Sequence, residues 1–322
     1  MNDIDRILEK TGLNCIYKGE DFIDKQITLR DGRISKLWVN KNDGHGILDD
    51  SFWENSNFYY ENYRKEFSAN LDTCTSSKEH LDIYKDVNKR QFNQFSNLIN
   101  KSTKFLEIGC SFGGILNHMN IQNIEYCCGL EPNKQDAEFC KISYEKCDIV
   151  NSLFEDYNFI DKKFNIIVSF EVLEHIFNLR KFIEKLYSIL DTNGFINFEV
   201  PNHHDALLIN YKINRYQSFN YHKSHIHYFT PESLSNIFSH FGFHGKVFGF
   251  QTYSFFNQVY WLYNNCPQKS AKEAISFPKV NEFESESNKI IYDFFENVNR
   301  NYQKLSQDNL ISDCLIFKGI KK

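Results

Sequence analysis

No Cys-x-x-Cys pair occurs among the nine cysteines of this 322-residue chain, and nine is an odd number. A disulfide framework is therefore not written into it; reduced, buried thiols are the expectation. No stretch approaches the roughly 18 consecutive apolar residues that a membrane helix needs. The start, Met1-Asn2-Asp3-Ile4-Asp5-Arg6, has no basic region followed by an apolar one, so a secretory leader is not expected. Positive charge is not in surplus: 37 Lys and Arg stand against 42 Asp and Glu, a net −5. That gives no overall pull on nucleic acid or an anionic membrane, and neither is expected as a partner. Internal repeats and low-complexity tracts are also missing. A soluble, cytoplasmic protein is the expectation, in a chain of ordinary apolar content (41%) that is rich in Phe and Tyr. Its length suits one large domain, or a core domain with additions.

Residues 1–78 read as an N-terminal extension. Gln26 to Arg30, then Asp31-Gly32, then Arg33 to Val39 predicts a β-hairpin, because Asp-Gly tolerates the positive φ angles of a tight turn. Ser51 to Phe67 is crowded with aromatics (Phe52, Trp53, Phe58, Tyr59, Tyr60, Tyr63, Phe67) and reads as partly helical. Glu79 to Ile99 has helical spacing at Ile83, Val87, Phe92, Phe95 and Ile99. From 104 onward strands and helices alternate. Strands are expected at Phe105–Ile108, Tyr126–Leu130, Phe164–Phe170 and Phe195–Val200, and helices at Gly113–Met119, Lys134–Ser143 and Leu179–Leu190. Such alternation predicts a parallel sheet with helices on both faces. Thr230-Pro231 opens a further helix, Thr230 as cap. Its buried face is Leu234, Ile237, Phe238 and Phe241, and Gly242 ends it. Lys246–Tyr253 and Cys314–Ile320 read as final strands. A helical insertion around 265–310 carries Ile291, Phe294, Phe295, Val298, Tyr302 and Leu305 on one face, a cover for the core or a homodimer contact.

The chemistry is concentrated in two segments. Phe105-Leu-Glu-Ile-Gly-Cys-Ser-Phe-Gly-Gly114 is an apolar run ending in a glycine-rich turn; Gly129-Leu-Glu-Pro-Asn133 ends another run in an acid. Strand, tight turn and helix start make a nucleotide cradle, and an acid about 20 residues on binds ribose hydroxyls. Ser111 stands where a dinucleotide fingerprint has its second glycine, the one that admits a pyrophosphate. Glu107, two residues before Gly109, would repel a pyrophosphate but suits the cationic amino acid end of S-adenosylmethionine (SAM). A dehydrogenase is disfavoured on both counts.

These residues resemble class I SAM-dependent methyltransferases, a subgroup similar to bacterial sugar and quinone small-molecule methyltransferases. The likeness covers roughly 80–245, within a methyltransferase domain of 79–322. Besides the two segments above it takes in FNIIVSFEVLEHI (164–176), LDTNGFINFEVPN (190–202) and HIHYFTPESLSNIFSHFGF (225–243). The resemblance implies a Rossmann-like α/β fold, its sheet mostly parallel with an antiparallel last strand. It implies that Glu107, Gly109, Gly113 and Glu131 hold SAM, with Cys110, Ser111 and Phe112 of the turn and Pro132 in the same site. Ser152 and Leu153 would lie near the adenine, Phe170 and Glu171 near the methionine part. Many similar enzymes carry a small zinc ribbon of two cysteine pairs; with Cys15 alone before Cys74, that ligand set is missing here.

Methyl transfer from a sulfonium is an in-line displacement that mainly needs positioning. A hydroxyl acceptor is helped by a base, usually His. Seven of the eleven histidines lie between 203 and 244, where ligands of a parallel sheet are expected. His225 is the first candidate, with His227 and His203 beside it. Sugar C-methyltransferases of similar sequence have a Glu-His pair just before Tyr-Phe-Ser; Ser224-His225-Ile226-His227-Tyr228-Phe229-Thr230 keeps the His and lacks the Glu. Glu171, Glu174 and His175, on one expected helical face, invite a divalent metal, as in some methyltransferases acting on quinones and on RNA ends. No metal is assigned. The leading expectation is O-methylation of a small molecule, a sugar, nucleotide-sugar or surface-polysaccharide precursor. A metal-dependent RNA-terminal 2′-O-methyltransferase and a non-catalytic SAM-fold binding protein are the alternatives.

Overall fold

A computed structural model describes residues 2–54, 56–63, 77–276 and 286–322; Phe67, counted above with the aromatics, lies outside them. Eleven strands are described, in two sheets. Strands β1 (Phe22–Thr28), β2 (Ile34–Asn40) and β3 (Gly46–Leu48) form a small antiparallel sheet. Strands β4 (Lys104–Ile108), β5 (Tyr126–Leu130), β6 (Asp148–Val150), β7 (Phe164–Phe170) and β8 (Leu190–Pro201) belong to the large one. The short β9 (His227–Tyr228) completes the small sheet; β10 (Phe243–Phe250) and β11 (Cys314–Lys321) complete the large one.

The large sheet has the order β10-β11-β8-β7-β4-β5-β6. Pairings β4/β5, β4/β7, β5/β6 and β7/β8 are parallel; β11 runs against both β8 and β10. The expected fold class, a mostly parallel Rossmann-like sheet with an antiparallel last strand, is what the chain adopts. Central strands read as near-continuous apolar runs because both faces are covered; in β4 four of five residues are buried. Helices Lys134–Ser143 and Leu179–Ile189 lie where the alternation places them. The expected strand at 195–200 is the second half of β8, which begins at Leu190 and breaks register before Phe195. Strand β6 escaped notice because three residues carry no period.

The expected hairpin forms with a different turn. The N–H of Leu29 donates to Arg33 O at 2.8 Å, leaving Arg30, Asp31 and Gly32 in a three-residue loop with Gly32 at φ 86°. A two-residue Asp-Gly turn would have closed one position tighter. The extension is built into the larger domain. β3 pairs with β9, and Ile4, Ile7, Leu8 and Ile47 share one core with Phe182, Phe198 and Phe238. The helix Pro231–His240 has the expected Thr230 cap in a full capping box.

The insertion departs from its sequence pattern. On helix Glu286–Asp308 the buried residues are Asn299 and Ser306, while Phe294 is 61% exposed and Leu305 56%. Asn299 is drawn in by the N–H of Phe255, which donates to its Oδ1 at 2.8 Å. Phe295 and Tyr302 of the stripe are half-buried against Phe256 and Phe255, so hydrogen bonding and part of the stripe together orient this helix. Among the described residues no helix is long and apolar enough to cross a membrane.

Candidate functional site

Backbone angles bring the site together at the carboxyl ends of β4, β5 and β7. After Ile108 the chain turns through positive φ at Gly109 (75°), Ser111 (48°) and Gly113 (77°). A Cβ on Gly109 would stand 2.4 Å from Val172, and one on Gly113 2.2 Å from the Tyr144 ring. Neither position admits a larger residue, by angle or by space. Gly109 and Cys110 both donate to Leu130 O at 2.9 Å, tying the turn to the end of β5. Glu131 then clamps it. One carboxylate oxygen accepts from the N–H of Ser111, the other from that of Asn133, each at 2.8 Å. The side chain is thereby fixed against the turn, and a carboxylate oxygen can accept more than one hydrogen bond.

Two cavities meet across this turn, sharing His80, Tyr84, Gly109, Ser111, Phe170 and Glu171 on their walls. The larger, about 650 Å³, is lined by Glu131, Pro132, Ser152 and Leu153. The second, about 330 Å³, is lined by Glu107, Cys110, Phe112 and His225. Both sizes are ordinary for small-molecule sites. Gly113 lines neither; its part is to let helix Gly114–Met119 start against Tyr144.

Glu107, on β4, is buried, and its Oε2 has no hydrogen-bond partner among the described residues. Burial drives its carboxyl well above the usual carboxylate range, helped by Cys140, Cys147 and Glu131. A buried carboxyl with one oxygen unsatisfied, on a residue that lines a cavity, is an acceptor for a cationic ligand. Glu171 follows β7 at φ 56°, a strained angle for a residue with a side chain. It opens into both cavities, and desolvation raises its carboxyl to about 7. The residues present thus fit the amino acid and ribose ends of SAM.

The three candidate bases part company. His227 has both ring nitrogens engaged: Nε2 lies 3.1 Å from Ile176 O and Nδ1 3.2 Å from Nε2 of His45. A carbonyl can only accept, so Nε2–H donates to it and Nδ1 accepts from His45. No lone pair is left for a substrate proton. His203 packs on Tyr221 and Tyr228, with Nε2 3.4 Å from the Tyr221 hydroxyl, and burial lowers it to about 4. Neither lines either of the two cavities. His225 does, and its ring nitrogens make no hydrogen bond among the described residues. Burial, then the charges of His175, His222 and Arg30, hold it well below the ordinary histidine range, so it is neutral at pH 7.

Glu171, Glu174 and His175 do not share a helical face. The segment is a short 3₁₀ turn, Leu173–His175, with Glu171 outside it. Instead Glu174 and His175 gather with His225, their ligand atoms within 4.8 Å of one another; Glu171 gathers likewise with Glu199 and Cys314. Glu174 is 1% exposed, and neither oxygen has a hydrogen-bond partner among the described residues. His175 Nδ1 donates to Ser224 O at 2.7 Å, which turns Nε2 toward Glu174, 3.6 Å away. Either trio offers the donor set for one divalent ion.

Several wall residues escaped the sequence reading. His80, Tyr84, Asn88 and Gln91 line the smaller cavity from one helix, Ser77–Phe92. The apolar positions were read there, while these four repeat at spacings of four, four and three on the adjoining face, a pattern that was available. Gln91 donates to Glu199 at 2.8 Å; an acid inside the apolar run Ile-Asn-Phe-Glu-Val of β8 was the signal for Glu199. Arg30 had no signal, since only the folded hairpin brings it here.

A family model described as a methyltransferase domain matches residues 78–245, just over half of the chain. The chain is similar to two curated proteins named ubiquinone biosynthesis O-methyltransferase. That of Rickettsia conorii is 26% identical over 197 residues, 53% of this chain and 67% of the relative. That of Pelagibacter ubique is 29% identical over 103 residues, 30% of this chain and 41% of the relative. Among solved structures, a SAM-dependent methyltransferase from Archaeoglobus fulgidus aligns with 81% of this chain and 100% of its own. The TM-score is 0.50 and the identity 18%, a likeness of fold.

Proposed function

The chain belongs to the SAM-dependent methyltransferase family, an enzyme whose methyl donor is SAM, and from that premise we propose O-methylation of a small hydroxylated acceptor. The observation that carries this reading is the smaller cavity, which adjoins the glycine turn and has the unbonded imidazole of His225 on its wall. Bound SAM supplies a methyl group already activated on a sulfonium. This chain's residues hold, orient and deprotonate. Glu131 accepts ribose hydroxyls, and Glu107 takes the amino group. Gly109, Cys110, Ser111, Phe112 and Pro132 shape the cradle; Ser152 and Leu153 border the adenine, Phe170 and Glu171 the methionine end. His225 accepts the acceptor's hydroxyl proton at a ring nitrogen. Aromatic walls, among them Tyr84, Phe219 and Tyr253, suit the face of a sugar or of a ring and exclude water.

Label transfer from methyl-labelled SAM tests the reading, using hydroxylated aromatics and nucleotide-sugars as acceptors. Ether-linked methyl that forms equally in EDTA is the expected result. A second reading, metal-assisted transfer, is favoured by the Glu174, His175 and His225 trio; activity lost in EDTA and restored by Mg²⁺ or Zn²⁺ would select it. Binding of S-adenosylhomocysteine (SAH) with no transfer to any acceptor would leave a binding protein.

The state of Glu107 sets a pH dependence. Its carboxyl is protonated in the free protein well above the usual range, and an arriving ammonium favours the ionised form. Binding therefore releases a proton, and affinity rises with pH. SAH affinity is expected to climb with pH above the usual carboxylate range, by at most about tenfold per unit. Glu107→Gln is expected to weaken binding and flatten this slope, as titration calorimetry at several pH values would show.

A further inference from the structure

The turn between β1 and β2 carries a guanidinium to the wall of the acceptor cavity. Three contacts hold Arg30 in place. Its Nε donates to Phe219 O at 2.6 Å. The guanidinium lies over the Phe219 ring, 4.0 Å from its centre. The backbone N–H of Arg30 donates to Tyr221 O at 2.7 Å. The rest of the fork makes no hydrogen bond, and no carboxylate comes within ion-pair distance, among the described residues. Asp31, beside it in sequence, is already taken by Arg33, whose Nε and Nη2 donate to it at 2.9 and 2.6 Å. The groups acting on Arg30 are the phenols of Tyr253, Tyr228, Tyr63 and Tyr216.

A guanidinium keeps its charge even where burial opposes it. Set in an enclosing wall without a counter-ion, that charge costs free energy until an anion completes it. The cavity's own acids do not fill the place. Burial raises Asp313 to about 8 and Glu171 to about 7, and neither pairs with Arg30. The open side of the fork presents parallel donors, the geometry that fits two oxygens of a carboxylate or phosphate. Arg30 and His225 lie on the wall of the same cavity, so one acceptor can meet both.

We propose that Arg30 anchors an oxyanion on the acceptor, so that the substrates are hydroxylated molecules carrying a carboxylate or a phosphate. This rests on the O-methyltransferase reading above and narrows it. The hairpin then has a role in specificity: it adds a charged wall to a site otherwise lined by the large sheet, helix Ser77–Phe92 and the segment around Phe219.

Titration calorimetry on the SAH-saturated protein tests it with two pairs of probes, protocatechuate against catechol and phenyl phosphate against phenol. At least one anionic probe is expected to bind roughly tenfold or more tighter than its neutral partner, as for a charge-assisted contact. The first pair reports a carboxylate, the second a phosphate. R30Q is expected to bring that preference to within about twofold, and R30K to keep part of it because it keeps the charge without the fork. SAH affinity of each variant checks that the fold is intact. Equal binding within both pairs, a preference that survives R30Q, or no binding of either anion beside bound SAH would each overturn the proposal. Failure of the wild-type protein to bind SAH would overturn the cofactor site instead.

Discussion

Glu131→Ala is expected to weaken SAH binding by roughly 100-fold, the largest effect on affinity of any single change in the cradle. A hydrogen bond to a charged group contributes about 1.5–3 kcal/mol, and Glu131 serves two clients at once. Within the protein it accepts the N–H groups of Ser111 and Asn133, so its loss unfastens the glycine turn from the start of helix Lys134–Ser143. Toward the ligand it accepts ribose hydroxyls. Alanine removes both, and it leaves two backbone donors seeking partners. Glu131→Gln separates the two parts. It keeps the shape and one acceptor, but its amide nitrogen must face a backbone N–H, donor against donor. A melting temperature that falls for Ala while SAH affinity holds would make Glu131 a structural clamp alone. Unchanged affinity in both variants would displace the ribose site.

The extent to which this site could be read from sequence follows the range of the forces involved. Glu107, Gly109 and Glu131 were legible because strand, turn and acid are local: spacing alone dictates which backbone N–H groups converge. The large sheet was legible for the same reason, since apolar runs and helical faces repeat within short windows. The histidine cluster was legible only as a cluster. His203, His225 and His227 have one residue type and one neighbourhood, and the difference between them is which ring nitrogens find partners. His227 is tied up by His45, 182 residues away in sequence. Arg30 reaches Phe219 across 189 residues. Pairings of that kind depend on β3 meeting β9, a two-residue contact with no period to betray it. The Glu171 and Glu174 pattern misled for the opposite reason. A spacing of three implies one face only if the backbone is helical, and the positive φ of Glu171 breaks that condition.

His225→Ala is expected to lower kcat by about 10²–10⁴-fold, the range for a lost general base, with SAH affinity nearly unchanged. The ring stands in the acceptor cavity, and it is neutral at physiological pH because burial and three cationic or ionisable neighbours disfavour its charged form. That environment makes it a weak base in the resting protein, which sounds unhelpful. The requirement changes as the reaction proceeds. The acceptor oxygen becomes far more acidic as it gains the methyl group, so a weak base suffices late in the displacement. Its lowered pKa also fixes a signature. The acid limb of kcat should fall below the ordinary histidine value of about 6.5, because the ring stays unprotonated further into acid. A positioning role confined to packing predicts something else: His225→Phe would restore turnover and leave the pH profile untouched. Recovery by Phe, or a normal rate in His225→Ala, would remove this histidine from the proton's path.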